Sequence, residues 1–155
     1  MSMNRMLCSA VITALLIPVA LSAAEPSVKE FQKARHEHYH ELGDAFKVVR
    51  DQTRSDKPDL AAIKTAAKKV NEAAADQAKW FPAGSGPEAG ETQALATIWS
   101  KPDDFKTAMK MFSDAAPKLN AAASADDLAG VKAAFGEVGK SCKNCHETFR
   151  AEEHH

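Results

Sequence analysis

The chain has 155 residues, with 20 basic and 21 acidic side chains, a formal net charge of −1 and 45% hydrophobic residues. That length suits one ordinary domain with one sizeable core. The near-neutral balance gives no support to nucleic-acid binding, which needs a clustered basic surface.

Residues 1–24 read as a secretory signal. Arg5 lies just ahead of the apolar run Leu7–Leu21, and Ser22-Ala23-Ala24 supplies small residues for cleavage before Glu25. The run contains Pro18 and is shorter than the roughly 20 residues that comfortably span a bilayer, which argues against a retained anchor. Cys8 falls inside this segment without the small-residue context of a lipidated cysteine. The expectation is one exported domain over residues 25–155, with no membrane span after processing and the periplasm as its compartment.

Four segments have helical composition. The first runs from about Val28 to Arg50, where Val28, Phe31, Arg35, His38, Leu42, Ala45 and Val49 follow a three-and-four spacing along one seam. Arg35 and His38 are polar where a plain core would be apolar, so a pocket or a solvent edge is expected there. The second starts after Asp56, with Pro58 near its first turn, and carries Leu60, Ile63, Ala67, Val70 and Ala74; its alanine face suits close approach by a neighbour.

Between Phe81 and Thr97 lies the longest connection, marked as irregular by Pro82, Gly84, Gly86, Pro87 and Gly90. The third helix begins near Ser100 or Pro102 and carries Phe105, Met109, Phe112 and Leu119, with Pro117 expected to bend or shorten it. For the fourth, Ser124 is the expected cap, with Asp127 completing a capping box, ahead of the stripe Leu128, Val131, Phe135 and Val138. Four such stripes are most simply buried in an all-α, antiparallel four-helix bundle.

The fourth helix leads into Cys142-Lys143-Asn144-Cys145-His146, the c-type haem attachment signature. Two thiols so spaced form thioethers with the haem vinyl groups, while the adjacent imidazole offers a ligand to iron. A disulfide or redox dithiol is the alternative for the cysteines, and zinc would need a further ligand from elsewhere. Arg150, four residues beyond His146, belongs on a nearby face of the same helix, as a haem-pocket cation or as a solvated helix end.

The stretch Ala133–His146 with Phe149-Arg150, together with Phe81–Gly86, Ala96–Trp99 and Phe105-Lys106, resembles cytochrome c prime, the class II cytochrome c family, over essentially the whole processed chain. The resemblance implies one covalently attached haem c, His146 as proximal ligand and Arg150 as its basic neighbour. It also implies a homodimer through outer helical faces, although the sequence alone is equally compatible with a monomer.

Aligned without a gap from Val28-Lys29, the family pattern puts Phe31 where an arginine is common and Gln32 at a haem-edge position. Arg35 then falls where an aliphatic group or methionine faces iron. Arg35 departs from the pattern: it could fold back to a propionate, donate to a bound anion, or show that the register is off by a turn. Beyond residue 24 only Met109 and Met111 remain, so a methionine ligand from the first helix is ruled out. His38 is the candidate sixth ligand, with five-coordinate iron the leading state. Trp99 and Phe105 are candidate pocket aromatics whose size suits core packing equally well.

The function expected is electron transfer with periplasmic redox proteins, the iron cycling between ferric and ferrous states. The alternative is binding of nitric oxide or another diatomic ligand at five-coordinate haem. No substrate-transforming residue is required for either, so an enzyme is not expected; weak peroxidase chemistry is left open.

Overall fold

A computed structural model describes residues 27–152. The signal-peptide expectation for residues 1–24 lies outside the described residues. The helices are α1 (Val28–Arg54), α2 (Leu60–Asp76), the single turn α3 (Thr97–Ser100), α4 (Pro102–Ser124) and α5 (Leu128–Phe149). Short 3-10 turns at Gln77–Trp80 and Pro87–Ala89 punctuate the long connection. Among the described residues there is no strand, only an isolated antiparallel bridge between Ala94 and Arg150. The four long helices pack in a ring, α1 on α2, α2 on α4, α4 on α5 and α5 on α1. Short links between α1 and α2 and between α4 and α5 make each pair antiparallel.

Each start has a local cause. Ser27 caps α1 in a reciprocal capping box with Glu30. Asp59 caps α2 through the amides of Ala61 and Ala62. The cap of α5 is Asp127, which accepts from the Gly130 amide at 2.9 Å. This corrects the expectation for Ser124, which is the last residue of α4 and donates back to the Asn120 carbonyl at 2.8 Å. Between them Asp126 takes a left-handed φ of 57°, which turns the chain sharply out of α4. Pro117 does not shorten α4, which runs on to Ser124.

The main core joins all four long helices through Val49, Ile63, Val70, Leu119, Val131 and Val138. The alanine faces meet as expected, with Ala66 and Ala67 of α2 and Ala115 and Ala116 of α4 in the same cluster. A second cluster of Ile98, Phe105, Ala108 and Phe149 packs Phe81, Trp99 and Cys145 against it, beside the end of α5.

The first half of α1 uses a different seam from the one expected. Val28 is 38% exposed and His38 is also exposed, whereas Gln32 and Arg35 are buried. The inward line runs Gln32, Arg35, Tyr39, Leu42 and Phe46, again at three-and-four spacing. Its polar members are buried because the long connection supplies acceptors for them. Gln32 Nε2 donates to the Gly86 carbonyl at 2.9 Å, and the chain passes Gln32 at Gly90, whose φ of 156° favours glycine.

Candidate functional site

The inner end of α5 presents Val138, Gly139, Ser141, Cys142, Cys145 and His146 to one cavity of about 220 Å³. Recurrence every three or four residues sets them on one helical face. The facing wall comes from α1 through Tyr39, Leu42, Gly43 and Phe46, and from α4 through Ala108 and Phe112, with Gln77 closing the end beyond α2. A Cβ added at Gly43 would meet nothing within 4 Å, so the glycine leaves space beside the helix.

No disulfide joins Cys142 and Cys145. Burial raises the pKa of Cys142, and burial followed by the charge of Cys142 pushes that of Cys145 to about 11. A reactive dithiol needs the opposite shift, toward thiolate at neutral pH. Among the described residues no group of three His, Cys, Asp or Glu side chains is arranged to hold a metal ion, which counts against zinc. His146 stands at the cavity mouth with an exposed surface. Its pKa is nonetheless lowered, first by burial of part of the ring and then by the charge of Arg150, which favours the neutral imidazole that binds iron.

Two thiols and a neutral imidazole on one face, open space beside Gly43 and a buried polar group in the opposite wall suit a covalently attached haem. Such a donor set at the end of the last helix defines a single-haem, c-type four-helix bundle.

Comparison with known proteins agrees. The cytochrome C' family model matches residues 30–150. Cytochrome c-554 of Cereibacter sphaeroides is 38% identical over 112 residues, covering 72% of this chain and 71% of that protein. Cytochrome c' of Alcaligenes xylosoxydans xylosoxydans is 46% identical over 71 residues, 46% of this chain and 54% of the relative. A solved structure of cytochrome c prime from Alcaligenes xylosoxidans, a ferrous variant with bound NO, superposes with a TM-score of 0.73 at 30% identity over 81% of this chain and 97% of that one. The chain belongs to the cytochrome c' family, and its haem c is covalently attached.

The sequence-stated candidates separate into groups. Cys142, Cys145 and His146 share the cavity wall. Arg150 is not within the helix as expected but caps its end, with its backbone bridged to Ala94 and its Nε donating to Gln93 Oε1 at 2.9 Å. The structure brings Trp99 and Phe105 together in the second cluster, where Phe105 stands edge-on to Phe81 at 4.9 Å and Trp99 Nε1 donates to the Pro82 carbonyl at 3.1 Å.

Phe31, Gln32, Arg35 and His38 lie outside the cavity lining. Phe31 and His38 edge an outer groove between α1 and α2, and His38 stacks on Trp80 at 4.8 Å. Arg35 turns into the long connection: Nη1 donates to the Trp80 carbonyl and Ser85 Oγ, and Nη2 to the Ser85 carbonyl and Thr92 Oγ1. Its guanidinium lies 5.0 Å from the Phe81 ring and 5.8 Å from that of Trp99. Burial lowers the Arg35 pKa.

The cavity-facing position on α1 is therefore Tyr39, one turn beyond Arg35, and the expected register is corrected by that turn. Tyr39, Gly43, Phe46 and Gln77 escaped the sequence reading. The first three carry a signal, since they sit at three-and-four spacing with Leu42. Gln77 carries none, because it reaches the cavity through tertiary packing.

Proposed function

We propose that this chain is an exported haem protein whose iron takes nitric oxide or another small diatomic ligand opposite His146. The observation that carries this reading is the facing wall of Tyr39, Leu42, Phe46, Gln77 and Phe112, which offers neither an imidazole nor a thioether to a sixth coordination position. When bound, the haem would supply an iron that changes between ferric and ferrous states and can take a small ligand. Cys142 and Cys145 would hold it by thioethers and His146 would offer its neutral imidazole, while the largely apolar wall would favour small, uncharged ligands. The NO bound in the related Alcaligenes xylosoxidans structure supports the same reading for this chain.

Electron transfer is the second reading, favoured by the exposed surface of His146 at the cavity mouth, where a redox protein of the periplasm could approach the haem edge. The family resemblance adds a homodimer through outer helical faces, and the groove beside Phe31, Leu42 and Val48 between α1 and α2 is one such face. Neither reading requires a catalytic side chain.

The test is electron paramagnetic resonance of the purified ferric protein at neutral pH, after mass spectrometry has established haem attachment. A dominant high-spin signal, converted by nitric oxide, is the expected result. A dominant low-spin signal would mean a sixth protein ligand and leave electron transfer alone.

A further inference from the structure

Gln77 is 5% exposed and lines the cavity, yet its Oε1 is a buried oxygen without a hydrogen-bond partner. Its Nε2 donates to the Tyr39 hydroxyl at 2.7 Å. A buried polar atom left unpaired costs free energy that a ligand can recover. The Tyr39 oxygen is occupied as an acceptor, so its own proton remains to be donated. Burial raises the phenol pKa far above the ordinary value of 10.0, with the Gln77 hydrogen bond opposing, so that proton is retained at any physiological pH.

The pair thus offers the Tyr39 hydroxyl proton as a donor and Gln77 Oε1 as an acceptor. Rotating the Gln77 amide by half a turn exchanges which residue supplies each and still leaves both a donor and an acceptor. Tyr39 would then donate to Oε1, leaving the amide N–H groups as donors and the phenol oxygen as acceptor. A diatomic such as carbon monoxide, which can only accept, satisfies half of this arrangement. A ligand that carries its own proton satisfies both halves. The ring is held by packing, edge-on to Trp80 at 5.1 Å and tilted against Phe81 at 6.2 Å, so the pair is set before a ligand arrives.

We propose that Tyr39 and Gln77 form a hydrogen-bonding subsite for a small protic oxygen ligand, of which water is the simplest, in the cavity opposite His146. The inference rests on the proposed open face of the haem and adds a ligand preference that the apolar remainder of the wall does not supply. Tyr39 and Gln77 are positioning residues for the ligand, and neither contributes a bond to iron.

The experiment compares the holo-protein with its Gln77→Leu and Tyr39→Phe variants. Electron–nuclear double resonance of the ferric forms in ¹⁷O-enriched water detects water at the haem, and optical titration of the ferrous forms gives carbon monoxide affinity. The wild type is expected to hold water, and each variant to lose water occupancy by about tenfold, the scale of one well-made hydrogen bond, while carbon monoxide affinity changes by less than about twofold. Water absent from a wild type that binds carbon monoxide would overturn the subsite while leaving the open-face reading intact. Water retained by both variants would do the same. A wild type without covalent haem, or with haem that takes up no carbon monoxide, would remove the functional reading and the subsite together. Circular dichroism identifies a variant that fails to fold, and the other substitution then decides.

Discussion

Arg35 is a buried cation whose hydrogen bonds all end on neutral groups of one connection, at Trp80, Ser85 and Thr92. Among the described residues no carboxylate forms an ion pair with it. Its stability comes from the four acceptors and from the aromatic faces of Phe81 and Trp99, which offset the desolvation of the guanidinium. Arg35→Met takes a donor from the Trp80 carbonyl and leaves the Ser85 carbonyl with only the 3.4 Å bond from Gln32 Nε2; it should cost about 2–4 kcal/mol in denaturant unfolding and make the 81–92 segment more sensitive to limited proteolysis. Arg35→Lys should recover little of this, because one ammonium cannot reproduce a planar fork serving acceptors in different directions. The charge of this residue made it conspicuous in the sequence. Its target could not be read there, because the acceptors lie 45 to 57 residues away.

At the scale of elements, the helix ends separate two residues that look interchangeable in sequence. Ser124 and Asp127 both precede the apolar stripe of α5, but only Asp127 has its carboxylate on an amide of the first turn. Asp127→Ala should lower stability by about 1 kcal/mol, whereas Ser124→Ala should change it by less than about 0.5 kcal/mol, as measured by thermal unfolding. The reversed pair of effects would restore Ser124 as the cap. α1 teaches a related point through its two candidate seams. Val28, Phe31 and His38 lie on one, and Gln32 and Tyr39 on the other, while Arg35 and Leu42 serve both. Hydrophobicity selects the first; the structure uses the second, because the long connection brings acceptors to Gln32 and Arg35 and removes the penalty for burying them.

On the scale of the whole molecule, a cavity lies where α1, α4 and α5 converge, and its walls come from residues scattered between 39 and 146. A haem joined to Cys142 and Cys145 stays on the chain when it unfolds, but only the folded bundle buries its ring in this cavity, so the group stabilises the bundle. The double variant Cys142→Ala, Cys145→Ala should give a chain without covalent haem that is at least about 3 kcal/mol less stable than the holo-protein, the scale of removing one large aromatic group from a packed core. Equal unfolding midpoints in the presence of denaturant would show that the bundle does not depend on the group. Among the described residues no helix is long and apolar enough to cross a membrane. The four amphipathic helices, the long breaker-rich connection and the Cys142–His146 motif are legible in the residues alone, because periodicity, turn chemistry and covalent attachment are all properties of neighbouring residues. That Tyr39 rather than Arg35 faces the cavity, that Arg35 holds the connection, and that Gln77 joins Tyr39 across 38 residues of chain are outcomes of packing. Those choices depend on which polar groups find partners when distant segments pack, and burial without a partner is what the fold avoids.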